Sequence, residues 1–321
     1  MMSLALDEIK YGVLHALPGW RFTTEPEEFG WVPGRHYRAR IQRNAQIINV
    51  IIRNSWTDEG FDTELFMYRQ LLPQIPIRTP ELFCSFALAD GAKWMVLEDI
   101  GTATVNGDMQ SERSAFFASL GALHGSGQRL VQDTDVPLQV FSPDTDEYRE
   151  WDELLTQAIA HPDYRLKPQT LDLFHQSLLQ LAQQPATVLH GDTDWSNAVL
   201  LDDGIGLIDW ERAHIGPAAL DIGRLMCNGV AECELHAYHD AYCRVSSTKV
   251  TFTQANEWAQ LGSIMDDFRW ICYFIRRTEL GNPPDADWQL NYYDPCIARM
   301  ADISNRPIVF KETGEPNAKK S

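Results

Sequence analysis

The chain has no run of about eighteen apolar residues, the length a bilayer-spanning helix needs. It has no internal repeat, which excludes stacked-repeat architectures, and no low-complexity tract beyond a polar ending, EPNAKKS, that reads as a frayed tail. Its six cysteines (Cys84, Cys227, Cys233, Cys243, Cys272, Cys296) show no paired spacing, which argues against a disulfide framework and for reduced thiols. Cys233, His236 and His239 lack the second cysteine of a typical zinc motif and read as a helix with scattered polar residues. Lysine is nearly missing from the first hundred residues, where only Lys10 and Lys93 occur. The opening MMSLALDEIKYG has no basic segment leading into an apolar stretch and cleavage site, so no secretory signal is expected and the cytoplasm is the expected location.

What is present is an ordinary globular composition, 44% apolar and 22% charged over 321 residues, enough chain for two lobes with cores of their own. The net charge of −18 is unevenly spread. Residues 1–100 hold 10 Lys/Arg against 13 Asp/Glu, and residues 101–321 hold 17 against 32. Such a field repels nucleic acid and anionic membranes and attracts a cationic small molecule, so neither nucleic acid nor membrane is expected as a partner. The oligomeric state is left open.

Along the chain, HYRARI (36–41) and IINVIIR (47–53) are β-rich runs joined by QRNA, a hairpin pattern. Phe61, Leu65, Tyr68 and Leu72 then mark a helix face that Thr57 or Asp58 would cap and Pro73 would stop. PELFCSFALADGAK and WMVLEDIG (94–101) supply further strands. Beyond Gly101 helical patterns take over, with Phe116, Phe117, Leu120 and Leu123 on one face and another helix over 168–183. The sequence thus predicts an α+β fold of two lobes, 1–100 rich in β-structure and 101–321 mostly helical. One stretch interrupts the helical part: VLHGDTDWSNAVLLDDGIGLIDWE, Val188 to Glu211, in which NAVLL and GIGLID flank an Asp-Asp-Gly turn that suits a tight hairpin. Helices resume from Pro217 and include the aromatic EWAQLGSIMDDFRWICYFIRR (257–277).

A hairpin with Asn197 at its entry and Asp209 at its exit brings an amide and a carboxylate together, with Asp192 one loop away. Amide and carboxylate oxygens suit Mg²⁺, which takes few protein ligands plus water and phosphate oxygens, and a separate carboxylate can accept a proton. Phosphoryl transfer from ATP needs that division of labour. HGDTDWSN followed by LIDWE and GPAALDIGRL resembles the aminoglycoside phosphotransferase and choline kinase family, relatives of the protein kinases. Asn197 follows Asp192 by five residues and Asp209 follows Asn197 by twelve, as in that family's pattern.

The resemblance implies a bilobal protein-kinase-like fold. It implies Asp192 as catalytic base, Asn197 and Asp209 as metal ligands, His190 as a prop of the loop, and Asp221 and His124 in structural roles. In the first lobe it aligns Arg53, ending Val50-Ile51-Ile52, with the lysine that grips the nucleotide's phosphates, and Glu64 with its ion-pair partner. Arginine there is a departure, since a planar fork is not an ammonium. On this reading Arg53→Lys should preserve or improve nucleotide use. FGWVPGRHYRARI, with Gly30 and Gly34, departs from a glycine-rich phosphate loop, and backbone groups from Glu98 to Ile100 in WMVLEDIG would hold adenine. The expected cofactors are Mg²⁺ and ATP, with GTP as the other donor the pattern admits. The expected acceptor is a hydroxyl of a small, cationic or amine-bearing molecule. MDDF (265–268) and PPDAD (283–287), near Trp270, Tyr273 and Trp288, are candidates for a cation pocket, the other reading being that these aromatics are helix core. The rival reading is a pseudokinase that binds nucleotide or a partner without turnover. A protein kinase proper is disfavoured by the missing arginine of His-Arg-Asp and by the short segment from Asp209 to Gly216.

Overall fold

The computed structural model describes residues 2–30, 32–133, 136–226 and 231–304, so Trp31, Cys227 and the EPNAKKS ending lie outside the described residues. The expected first hairpin is β3 (His36–Arg43) and β4 (Gln46–Arg53), turned at Asn44-Ala45 with Asn44 in the left-handed region at φ 54°. Strand alternation sorts its residues to two faces. Tyr37, Ala39, Ile41, Val50 and Ile52 join Trp94 and Val96 in one core, closed by Ile9 and Val13 of α1 (Met2–Ala16). This helix adds to the elements read from the sequence. Ile51 and Arg53 alternate to the opposite face.

The sheet is completed by β1 (Arg21–Phe22), β2 (Glu27–Glu28), β5 (Leu82–Ala87) and β6 (Lys93–Glu98). It is antiparallel, with strand order β1-β3-β4-β6-β5 and β2 on β3. Between β4 and β5 lies α2 (Asp58–Phe66), capped by Thr57, whose hydroxyl accepts from Gly60 N–H at 3.0 Å. The chain does not stop at Pro73. It passes through a π turn, Met67–Leu71, and a 3₁₀ turn, Leu72–Gln74, that contains the proline. The wider turn brings Met67 and Leu71 onto the buried side with Phe61 and Tyr68, while Leu65 is only half-buried.

After residue 100 the elements are α3 (Gln110–Asp133), α4 (Asp146–Ile159), α5 (Pro168–Ala182), α6 (Ala219–Leu225), α7 (Glu232–Val245), α8 (Phe252–Glu279), α9 (Ala286–Trp288) and α10 (Asp294–Ser304). Two antiparallel ribbons lie between α5 and α6. One is the expected hairpin, β8 (Ala198–Leu201) with β9 (Gly204–Leu207). The other, β7 (Ala186–Leu189) with β10 (His214–Pro217), was not apparent from the sequence and clamps the two ends of the motif-bearing segment together.

The described residues divide into two compact units, one within Met1–Ser142 and Leu181–Ser263, the other within Pro143–Gln180 and Ile264–Ser321. The first holds the sheet, α3, both ribbons, α6 and α7. The second is helical, with Phe174 packed on Phe268 and Trp151 at ring separations of 5.1 and 6.3 Å. Among the described residues no helix is long and apolar enough to cross a membrane. Cys233 accepts from the Gln110 amide and His236 stacks on Phe252 at 3.9 Å, so these side chains of α7 are engaged in packing.

Candidate active site

The His190-Gly191-Asp192 turn is built around Asp221 at the start of α6. The buried Asp221 carboxylate accepts from the backbone N–H of His190 at 2.7 Å and of Gly191 at 3.0 Å, and from His124 Nε2 at 3.0 Å. His124 Nδ1 and the Tyr238 hydroxyl are hydrogen-bonded at 3.0 Å. Burial works to raise the Asp221 pKa, but the His124 hydrogen bond and charge outweigh it and bring the group down to about 2. Gly191 sits at φ 78°, and a Cβ there would lie 1.9 Å from the Arg212 carbonyl oxygen, so only glycine fits this turn. His190 Nε2 donates to the Ile208 carbonyl at 2.8 Å while Nδ1 receives the Asp192 N–H at 3.3 Å. That pairing needs a neutral ring, and burial lowers the His190 pKa accordingly. His190 thereby ties the turn to the residue preceding Asp209.

Asp192 is held from two directions. Asn197 Nδ2 donates to its backbone carbonyl at 2.9 Å, and Arg224 Nη1 donates to its Oδ1 at 2.7 Å. Arg224, one helical turn after Asp221 in LDIGRL, also bonds the Gly191 carbonyl. Sequence reasoning missed it, although the three-residue spacing puts both side chains on one face of α6. Asp194 caps the short turn Trp195–Asn197, its Oδ1 accepting from Ser196 N–H at 2.9 Å and Ser196 Oγ at 2.6 Å.

At the hairpin's open end, Ile208 N–H donates to the Asn197 carbonyl at 3.1 Å, and Asp209 follows in the left-handed region at φ 68°. A non-glycine residue held there marks a backbone kept in place by its surroundings. The holding contact is Arg53. Its Nη2 lies 3.0 Å from Asp209 Oδ1 and its Nη1 3.1 Å from Glu64 Oε1, with Glu211 Oε2 at 3.7 Å. Ser55 Oγ donates to the other Glu64 oxygen at 3.3 Å. Burial pushes Glu64 up to about 7, with Arg53 pulling the other way. Burial also opposes ionisation of Asp209, but the Arg53 charge and hydrogen bond prevail and hold it below the usual carboxylate range. Arg53 stays cationic throughout.

The Glu98–Ile100 segment ends β6. Its acidic side chains face arginines: Glu98 pairs with Arg78 at 2.5 Å and Asp99 with Arg38 at 2.6 Å. Glu98 N–H and Asp99 N–H are bonded to the carbonyls of Glu81 and Asn49. Ile100 N–H has no acceptor among the described residues. The Ile100 side chain lies against β9, where a Cβ on Gly206 would come within 2.6 Å of its Cδ1.

In the second unit the rings of Trp270, Tyr273 and Trp288 cluster at 5.4 to 6.0 Å. Of the four acids expected to make this a cation pocket, three are otherwise engaged. Asp266 accepts from Arg269 and the Trp270 indole, Asp267 pairs with Arg299, and Asp285 caps α9. Arg269 itself covers the Trp270 ring at 4.3 Å.

A curled antiparallel sheet followed by a mainly helical region, with these polar groups on a loop and hairpin, is the protein-kinase-like phosphotransferase architecture. A sequence profile described as the phosphotransferase enzyme family matches residues 32–258, and the chain belongs to that family. Solved structures agree on the fold. Choline kinase LicA from Streptococcus pneumoniae is similar at a TM-score of 0.60 and 16% identity, covering 94% of this chain and 99% of its own. A choline/ethanolamine kinase family protein from Mesorhizobium loti is similar at a TM-score of 0.60 and 18% identity, with 96% of each chain covered. The GDP complex of a single-substitution mutant of aminoglycoside 2'-phosphotransferase-IIIa is similar at a TM-score of 0.63 and 14% identity, covering 93% of this chain and 99% of its own.

Proposed function

We propose that the protein transfers the terminal phosphoryl group of ATP, or of GTP, to a hydroxyl of a small, amine-bearing molecule, with residues 1–100 as the nucleotide-binding lobe and 101–321 as the catalytic and substrate lobe. Asp192 is the base that receives the hydroxyl proton, through Oδ2, since Arg224 occupies Oδ1. Asn197 and Asp209 are the metal ligands. The donor set fits Mg²⁺: the Asn197 amide nitrogen is engaged with the Asp192 carbonyl, which turns its oxygen outward from that bond, and Asp209 keeps one oxygen not bonded to Arg53. When bound, Mg²⁺ supplies neutralisation of phosphate charge. Glu98 and Ile100 contribute backbone groups to adenine, with the open Ile100 N–H as donor. The observation that carries this reading is Arg53 linking Glu64 of α2 to Asp209 of the hairpin, which unites the sheet with the loop that bears Asp192.

The preference for an amine rests on the net charge of −18, because the MDDF carboxylates are matched by arginines. The test is Mg²⁺-dependent phosphate incorporation from ATP and GTP over a panel of hydroxylated amines and their neutral analogues. Nucleotide binding without incorporation into any acceptor would turn the reading to the pseudokinase, which arginine in place of lysine at position 53 favours.

The same two-armed contact reverses the sequence-based expectation for Arg53→Lys. An ammonium on a flexible stem cannot keep separate nitrogens on Glu64 and Asp209 at 3.1 and 3.0 Å. The substitution is expected to lower kcat/KM for ATP about tenfold, a loss typical of about 1.4 kcal/mol, measured by initial rates at saturating acceptor. Equal or better nucleotide use by the lysine variant would show that a point charge suffices.

A further inference from the structure

Thr193, Asp194, Trp195 and Ser196 separate Asp192 from Asn197, and all but Trp195 are absorbed by the turn itself. The Thr193 hydroxyl donates to the Asp221 carbonyl at 2.8 Å, and Asp194 and Ser196 bond each other. Trp195 instead reaches out of the turn to α3, where its ring meets that of buried Phe116 edge-on at 5.5 Å. It also abuts Gly107. A Cβ there would lie 3.1 Å from the indole Nε1 and 3.2 Å from Cδ1, so the ring fills the space a side chain would take. The segment 103–105 ahead of Gly107 runs beside β8, with Leu200 N–H donating to the Ala103 carbonyl at 2.7 Å and Val105 N–H to the Ala198 carbonyl at 2.9 Å. Arg113 completes the seat. Its Nη1 donates to the Gly107 carbonyl at 3.3 Å, and its guanidinium lies 5.9 Å from the Trp195 ring. Its Nε and Nη2 hold the buried carboxylate of Glu234, on α7, at 2.7 and 2.8 Å. The indole is thus held by packed groups that are anchored outside its own loop.

We infer that Trp195 is a positioning residue: wedged into this seat, it sets the spacing between Asn197 and Asp192, and with it the fit of the proposed metal ligands to Mg²⁺. The inference deepens the phosphotransferase reading and rests on it. The connection has little slack. Asp192 is fixed from its own side, by the turn on Asp221 and by Arg224. Asn197 N–H bonds the Asp194 carbonyl at 3.0 Å across a single 3₁₀ turn that contains Trp195. A shift of the indole is therefore passed to Asn197 and not to Asp192. The bond from the Asn197 amide to the Asp192 carbonyl, 2.9 Å long, exists only while the two ends keep this spacing. Mg²⁺ demands near-ideal ligand geometry, so a small displacement of one ligand oxygen is enough to weaken its binding.

The test compares calorimetric ATP titrations in Mg²⁺ and in EDTA, together with steady-state phosphate transfer, for wild type, Trp195→Ala, Trp195→Phe and Gly107→Val, with thermal melting as the folding control. Trp195→Ala is expected to lose most of the affinity that Mg²⁺ adds and to lower kcat about a hundredfold, while ATP affinity in EDTA and the acceptor KM stay within about twofold. Gly107→Val leaves the indole's chemistry intact but crowds it, and should show the same pattern with a kcat loss of about tenfold. Trp195→Phe keeps a ring against Phe116 and should recover most of both quantities. The valine and phenylalanine variants keep the test decisive where the alanine variant melts below the assay temperature. A Trp195→Ala protein with wild-type Mg²⁺ dependence overturns the inference. So does one raised only in acceptor KM, which would make the indole a substrate contact, and so does a Gly107→Val protein that transfers phosphate as wild type does. A wild-type protein that binds ATP equally in Mg²⁺ and in EDTA overturns the metal-ligand reading, and this inference with it, an outcome read from the wild type alone.

Discussion

Asp192→Ala is expected to lower kcat by about a thousandfold, within the range a positioned base contributes, while ATP affinity stays within about twofold, since the base meets the acceptor and not the nucleotide. The geometry sets both parts of this expectation. The Asp192 backbone is fixed by Asn197 and His190, and neither contact uses its carboxylate. Loss of the side chain therefore leaves the turn standing. The carboxylate is 39% exposed, so its removal opens no cavity, and Arg224 retains the Gly191 carbonyl as a partner. A small effect on stability, within about 1 kcal/mol, is expected for so exposed a group. Asp192→Asn sharpens the test. It keeps shape and one acceptor oxygen for Arg224 but cannot take a proton, and it should be as inactive as the alanine variant. Single-turnover phosphate transfer together with nucleotide titration measures the two halves independently. An asparagine variant that keeps more than a tenth of wild-type kcat would move the base elsewhere.

The parts of this site that were legible in the sequence are those coded by local spacing. The intervals between Asp192, Asn197 and Asp209 are properties of one loop and one hairpin, and a hairpin's register follows from its own turn, here Asp202-Asp203 between Leu201 and Gly204. Glu64 as the partner of Arg53 was readable only through the family resemblance, and the two side chains lie 3.1 Å apart. What stayed hidden depends on pairings between distant segments. β7 and β10 are four residues each, too short to carry a periodic signal, and become strands only by pairing across the motif they enclose. Tyr238 meets His124 across 114 positions, and no local pattern announces it. The partners of the MDDF acids were hidden for a related reason. Acidity in a row implies nothing about which arginine packs beside it, and Arg299, 32 residues on, neutralises Asp267. The π turn after α2 escaped because the sequence pattern assumes a constant 3.6-residue period.

The second large effect is expected at Asp221, which touches no reacting group. Its carboxylate serves three buried donors: two backbone N–H groups of the turn and His124. Asp221→Ala strands all three, and removal of one member of a buried charged network costs about 3–5 kcal/mol. Asp221→Asn is expected to be only partly better, because its NH₂ must face one of the donors it replaces an acceptor for. Urea unfolding at neutral pH measures the loss, and kcat should fall with it as the turn carrying Asp192 loosens. The pH dependence separates this role from simple packing. The folded pKa of about 2 lies below the ordinary 3.8, so the folded state binds the proton more weakly than the unfolded chain. The stabilisation, about 2 kcal/mol for such a shift, is fully present above the ordinary value and is lost as pH falls from there through the folded pKa. The difference in unfolding free energy between wild type and Asp221→Asn should thus shrink between pH 4 and pH 2, since asparagine has no proton to take up. A difference that stays constant over that interval would mean the charge on Asp221 contributes nothing, and that the turn is held by shape alone.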